Sequence, residues 1–390
     1  MENQFLLLPG PTQIPNRVLQ AANQPMISHR SGTFKDIFGQ VTENAKRIFC
    51  TKNDLLILTC SGTAGLEASV VNFLNSGDKV IVASTGNFGR RYRDIAEAHG
   101  MDIDYIEFPM GKAVDPAVIA EKLAADTEQK IKAIIIQQHE TSTGVYNPLD
   151  KISAARGNHP ALLLVDAVSG LGACPLKTDE WGLDVVVTSS QKALMVPPGL
   201  CLVTVSQRAW AAAANNHNHK FYLDLSKAKK YADDRQTPFT PAVSLVYALD
   251  EAVNMLNEQG IDNVIAEHYF RRDAIRASIK ALGLKPVADD QVAGGAVTAV
   301  YCPEGITAAE ITGIMREKYD TVIAGGMGDI KKTSFRIAHL GFVRDMDLIA
   351  AIGALELALY ELGYKFELGT GVGACQKVII EKRKVFTDRD

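Results

Sequence analysis

The sequence predicts an α/β fold: a large domain on a mostly parallel seven-stranded sheet flanked by helices, followed by a smaller α+β C-terminal domain. Three observations predict it. Short apolar runs alternate with longer helical patterns from about residue 55 to 205. Several of these runs are apolar at every position, as strands are when helices cover both faces of a sheet. The pattern then changes near residue 256, where long helices begin to flank a few strands. A chain of 390 residues also exceeds what one ordinary core supports. The expected division is an N-terminal segment 1–15, a large domain 16–255 and a small domain 256–390.

In chain order, the expected strands of the large domain are Leu55–Leu58, Lys79–Ala83, Ile103–Ile106, Ala133–Ile136, Leu162–Val165, Val185–Val187 and Leu200–Val205. Val, Ile and Leu dominate them, which suits buried parallel strands. Helices are expected at Ala64–Asn75 and Arg90–His99, with Gly77 and Gly100 as their stops. Strands and helices in alternation imply crossover units and a doubly wound sheet. Downstream, the helices Tyr269–Leu282, Ala308–Lys318 and Asp345–Leu362 are expected to flank the strands Ala296–Tyr301, Thr321–Ile323 and Thr333–Ala338. The basic tail at 381–384 reads as a solvated helix end.

Composition narrows the function classes. Hydrophobic residues make up 47% and charged residues 22%, with a formal net charge of −4. That balance offers no basic footprint for nucleic acid or an anionic membrane. No apolar run approaches the roughly 20 residues needed to span a bilayer. The start, MENQFLLLPGPTQ, has no basic flank or cleavage site of the secretory type. The six cysteines have no CxxC spacing and several lie in apolar runs. A reducing, cytoplasmic setting is the expectation.

In an open α/β sheet, ligands bind beyond the carboxyl ends of the strands. The residues expected there are Ser61-Gly62-Thr63, Gly86-Asn87-Phe88, Glu140 to Gly144, Asp166, and Ser189-Ser190-Gln191-Lys192. Five strands thus deliver polar or glycine-rich ends to one edge.

Each of these residues has a plain reading and a chemical one. Asp166 ends the apolar run LLLVD, where a carboxylate needs a partner. It either caps the next turn or faces a protonated heterocyclic nitrogen. Lys192 either opens a helix at the surface or lies desolvated, with a lowered pKa, and attacks a carbonyl to form an imine. Ser61, Gly62 and Thr63 join a strand to a helix, where they either cap the helix or receive an anion on its N-terminus. Phe88 packs into the core or stacks on a flat ring. Arg336, in TSFRIAHLG, pairs with an internal carboxylate or with that of a substrate. Thr237 and Thr240, in TPFTPAV, sit in a loop fixed by prolines. The histidines are scattered, His217 and His219 lack a third ligand, and no GxSxG elbow is present, so neither a metal site nor a hydrolase triad is expected.

Taken together, PGPT, SGTAGLEA, GNFG, HETSTGV, LLLVDAVS, SSQKAL, PPG, TPFTPAV and FRIAHLG resemble the class V, fold-type I, pyridoxal-phosphate aminotransferases. The resemblance is nearest to the alanine–glyoxylate and serine–pyruvate aminotransferases, and it runs from Pro9 to at least Gly341. It implies pyridoxal 5'-phosphate as cofactor and a ping-pong transamination between small amino acids and 2-oxo acids. It implies that Lys192 forms the cofactor imine and shuttles the Cα proton, while Asp166 pairs with the ring nitrogen. Phe88 would stack on the ring, where many relatives carry an indole, and Thr141 would lie by the ring hydroxyl or the ring edge. Ser61, Gly62, Thr63 and Gln191 would hold the phosphate. Thr237 and Thr240 would reach the partner subunit's phosphate, which makes a homodimer part of the site; many relatives have tyrosine at the first of these positions. Arg336 would clamp the substrate carboxylate, and the Gly10 backbone, in an N-terminal segment near the active site, would line the substrate side. Within the same fold, a cysteine desulfurase would need a mobile nucleophilic thiol, for which Cys302 and Cys375 are the small-domain candidates. The wider class also accommodates an aminophosphonate donor or a pyridoxamine substrate, and the fold could serve a non-catalytic partner in a larger complex.

Overall fold

The seven expected strands form one sheet. We describe it from a computed structural model covering residues 4–387, with side chains to Lys382. The strands are β1 (Asp54–Leu58), β2 (Lys79–Ser84), β3 (Asp102–Glu107), β4 (Ile131–Gln137), β5 (Leu162–Asp166), β6 (Val185–Ser189) and β7 (Cys201–Val205). Their spatial order is β1-β7-β6-β5-β4-β2-β3. Only β7 runs against its neighbours β1 and β6. Successive residues feed opposite faces. Ile134, Ile136, Leu163 and Val165 enter one apolar cluster, and Ala133, Ile135, Leu162 and Leu164 the other. Both clusters are sealed by helices, so Ala133 to Ile136 of β4 and Leu162 to Val165 of β5 carry no polar position before the strand ends. Fully burying each such Ile, Leu or Val contributes about 1.5–3 kcal/mol.

The register aligns those ends. Gln137 of β4 lies opposite Asp166 of β5, Asp166 opposite Val187 of β6, and Cys201 of β7 opposite both Ser189 and Leu58. Helix α1 (Gly32–Ile48) covers one face. Helices α2 (Gly62–Phe73) and α3 (Asn87–Ala98) follow β1 and β2 and cover the other. Gly100 stops α3 with φ +75 and a bond from its N–H to the Glu97 carbonyl. Gly77 does not stop α2. Leu74 is already extended, and Gly77 (φ +88) turns the chain into β2 instead.

Two long helices follow, α4 (Val243–Gln259) and α5 (Ile261–Ala281), broken only at Gly260 with φ +81. The expected 255/256 boundary therefore falls inside a helix. The helix expected at Tyr269 starts eight residues earlier because only Gly260 interrupts the pattern. A second core gathers Phe270, Ile275 and Ile279 of α5 with Phe335, Ile337, Ile352 and Leu355. Its three-stranded antiparallel sheet has β10 (Ser334–Ala338) between β8 (Val297–Tyr301) and β9 (Ala324–Gly325). Helices α6 (Ala308–Tyr319), α7 (Asp345–Glu361) and α8 (Thr370–Thr387) complete it.

Three expectations change here. Thr321–Val322 does not join the small sheet but pairs in parallel with Phe5–Leu6. Leu7 is buried in the second core, so the N-terminal segment is stitched to it before crossing to the large sheet. The tail is not merely solvated. The Lys382 amine lies 2.6 Å from a Glu267 carboxylate oxygen and 3.7 Å from the centre of the Phe270 ring. The side chains at 383 and 384, and residues 1–3 and 388–390, lie outside the described residues. No helix among the described residues is long and apolar enough to cross a membrane.

Candidate active site

Asp166 is the last residue of β5, and burial leaves it 4% exposed. One of its oxygens accepts the Val168 N–H at 2.8 Å. Burial raises its pKa to about 7; Glu140 pushes it the same way, while the Val168 N–H and the Lys192 and Arg91 charges push it down. The plain reading, a cap on the next turn, is thus present in that one bond, yet the group remains a desolvated carboxylate in the sheet edge.

Lys192 lies beyond β6 on a turn made by Lys192 C=O accepting from Met195 N–H at 3.0 Å. Its amine donates to the Pro9 carbonyl. Burial lowers its pKa to about 8, against the pull of Asp166 and with the help of Arg336 and Arg91. A lysine lowered in this way keeps a larger share of its amine unprotonated, and so nucleophilic, at physiological pH than an ordinary lysine does. Gly10 permits the contact: its φ is +129, and a Cβ there would stand 2.8 Å from the Lys192 Nζ. Thr12 fastens the same segment, donating through Oγ1 to the Lys192 carbonyl at 3.0 Å.

Arg336, central in β10, is 8% exposed. Its Nε donates to the Gly325 carbonyl at 2.9 Å and its Nη1 to the Thr141 carbonyl at 3.3 Å. Among the described residues it forms no ion pair, so the internal-carboxylate reading fails. Burial lowers its pKa to about 10, partly offset by the Glu140 charge. A buried guanidinium held only by carbonyls is charged, oriented and short of an anion.

At the start of α2, Ser61 accepts the Ala64 N–H at 3.3 Å, as helix capping requires, while Ser61 and Thr63 remain exposed. Gly62 is buried, and a Cβ there would come within 3.1 Å of Ser189 Oγ and of Val168. Ser189 Oγ itself is buried without a partner. Gln191 is half-buried, and its carbonyl accepts the Thr12 N–H at 3.2 Å. The start of α3 differs, because a carboxylate already occupies it. Glu140 accepts the N–H groups of Phe88 and Gly89, each at 3.0 Å. Thr141 Oγ1 donates to Ser169 Oγ at 2.8 Å.

The family described as Aminotransferase class-V matches residues 4–329. The chain belongs to it. A serine–glyoxylate aminotransferase of Methylorubrum extorquens is 35% identical over 385 residues, covering 96% of each chain. The 42 kDa subunit of a soluble hydrogenase of Anabaena cylindrica is 42% identical over 376 residues, 96% of this chain and 98% of that one. Among solved structures, a ureidoglycine–glyoxylate aminotransferase of Bacillus subtilis superposes with a TM-score of 0.91 at 28% identity, covering 97% of this chain and 98% of that one.

Within this aminotransferase, the structure brings Asp166, Lys192, Thr141 and Arg336 together through shared bonds and charges, with Gly10 against the lysine. Phe88 presents its ring to the Arg91 guanidinium, 4.6 Å from the ring centre. Thr237 and Thr240 stand apart. Thr237 is buried and donates to the Phe239 carbonyl at 2.7 Å, and Thr240 is exposed. Neither is hydrogen-bonded to the residues above. Sequence reasoning gave no role to Pro9, Ser169, Arg91 or Glu140, although Glu140 was visible as a polar strand end. The desulfurase candidates fare poorly. Cys375 is fully buried, and burial pushes the Cys302 and Cys375 thiols both to about 11, away from a nucleophilic thiolate.

Proposed function

We propose that this aminotransferase uses pyridoxal 5'-phosphate to exchange amino groups between a small amino acid, alanine or serine, and a 2-oxo acid, glyoxylate or pyruvate. The observation that carries the reading is the trio of a half-buried lysine of lowered pKa, a buried carboxylate that feels its charge, and an arginine with no ion-pair partner among the described residues. The donor set fits the cofactor. An unpartnered buried hydroxyl at Ser189 and a cleft that a side chain at Gly62 would fill lie by the exposed start of α2.

When bound, the cofactor supplies the aldehyde and the electron-poor ring on which amino groups are exchanged. Lys192 would hold the cofactor through its amine and would move the substrate Cα proton. Asp166 holds a proton on the ring nitrogen, and Phe88 presents a flat face. Ser61, Gly62, Thr63 and Gln191 would hold the phosphate, and Thr141 would serve the ring side of the site. Arg336 takes the substrate carboxylate, and so turns the Cα–H bond toward Lys192. The Gly10 backbone lines the same side. Thr237 and Thr240, free of this chain's own site, would serve the phosphate of a partner subunit in a homodimer. The names of the Methylorubrum and Bacillus relatives share glyoxylate, which supports it as the acceptor here. Six unpaired cysteines fit a cytoplasmic enzyme.

The test is a pair of half-reactions. Alanine or serine should bleach the visible band of the lysine-bound cofactor, and glyoxylate or pyruvate should restore it. Lys192→Ala should lack that band from the start. A band that survives in Lys192→Ala would refute the reading.

A further inference from the structure

Glu140 is fully buried, and among the described residues no cation sits on its oxygens. Backbone N–H groups and one hydroxyl surround it instead. The N–H groups of Phe88 and Gly89 come from the first turn of α3. The N–H of Ser142 lies at 3.0 Å and its hydroxyl at 2.6 Å. Ser142 Oγ in turn accepts the Asn87 N–H at 3.0 Å, so all three N–H groups that open α3 end on this pair. Gly86 makes room for it: a Cβ there would meet Ser142 Oγ at 2.5 Å and Glu140 Cγ at 2.7 Å. The next residue, Thr141, receives Arg336 on its carbonyl. One short segment therefore clamps the Phe88 turn on one side and the carboxylate-binding arginine on the other.

We propose that Glu140 is a positioning residue. Its carboxylate fixes the Phe88 turn in register with Arg336 and acts through space on Asp166 and Arg336, to neither of which it is bonded. The proposal rests on the functional reading above. A helix start filled by a carboxylate is satisfied by bonds to charge, which are stronger than neutral ones. The charge acts on both neighbours in a known direction: it favours the protonated forms of Asp166 and Arg336. The other titratable groups that feel Asp166 are Lys192, Arg91, Tyr92 and Cys201, and Lys192 also feels Arg336.

The test compares the affinity of the apoenzyme for pyridoxal 5'-phosphate across neutral pH in three proteins. Glu140→Gln keeps the shape but removes the charge and turns an N–H₂ group toward N–H donors. It should bind the cofactor roughly tenfold more weakly at neutral pH. The acidic midpoint of its binding curve should move to lower pH, because Asp166 loses a neighbouring negative charge. Glu140→Asp keeps the charge but falls short of the α3 turn; it should lose affinity while retaining the wild-type midpoint. A structural cap alone would lower affinity in both variants and move neither midpoint. An unmoved midpoint in Glu140→Gln, or wild-type affinity, overturns the proposal. Should Glu140→Gln not fold, Ser142→Ala removes two of the bonds without touching the charge; it should weaken binding severalfold, and unchanged affinity overturns the proposal. A wild-type apoenzyme with no affinity for pyridoxal 5'-phosphate overturns the functional reading and this inference together. A wild type that binds, matched by its variants, overturns the inference alone.

Discussion

The Lys192 amine rests on the main-chain carbonyl of Pro9, and the missing side chain of Gly10 is what lets it do so. The central lysine is thus held by a segment that belongs, through Phe5–Leu6 and Leu7, to the second core. Gly10→Ala should disturb the lysine more than the fold. The backbone at φ +129 costs a non-glycine residue about 1–3 kcal/mol, and the new methyl group meets the lysine head-on. We expect a modest loss of thermal stability with a large loss of the lysine-bound cofactor band, measured side by side.

Asp166 should make the empty enzyme less stable as pH rises. Its folded pKa, about 7, lies above its ordinary value of 3.8. Between these the folded chain keeps a proton that the unfolded chain has lost, so stability falls through that window. Asp166→Asn removes this cost. The variant apoenzyme should be more stable than wild type above neutrality, by up to a few kcal/mol. The gap should close toward pH 4, and thermal unfolding across that range checks it.

Arg336→Lys should damage substrate recognition selectively. An ammonium cannot reproduce a guanidinium held by the Gly325 and Thr141 carbonyls. We expect kcat/KM for amino acids to fall by about a hundredfold or more, since truncating a buried charge pair costs about 2–5 kcal/mol. An amine donor without a carboxylate should be affected far less. Steady-state kinetics with both donor types decides this.

The proposed sharing of the site between two subunits has its own test. Lys192→Ala and Thr240→Ala each remove function from a different subunit's contribution if Thr240 serves the partner. Mixing equal amounts of the two variants should restore about a quarter of wild-type activity, because random reassociation makes about half of the dimers mixed and each mixed dimer holds one intact site. No recovery on mixing, with dimers verified by sedimentation, would place Thr240 outside the site.

Much of this site was legible in the sequence because the sheet is covered on both faces. Strands with no polar position until their ends announce those ends, so Asp166 and Lys192 stand out after LLLVD and VVVTSS. Glu140 was visible in the same way, but its task was not: its partners Phe88 and Gly89 are 52 and 51 residues away. The contact from Lys192 to Pro9 spans 183 positions and leaves no periodic trace. The helix expected from Tyr269 starts instead at Ile261, separated from α4 only by Gly260 at φ +81, so no break in the apolar pattern marks its true start.

By itself, the sequence determined the alternation of strands and helices, the apolar faces and the polar strand ends. These are local or periodic consequences of burial, and periodicity is written along the chain. Only the tertiary structure decided that Arg336 has no ion-pair partner among the described residues, that Glu140 fills the start of α3, and that the Pro9–Gly10 segment lies against Lys192. Those outcomes depend on which distant groups desolvate one another, a property of packing in three dimensions that residue spacing does not encode.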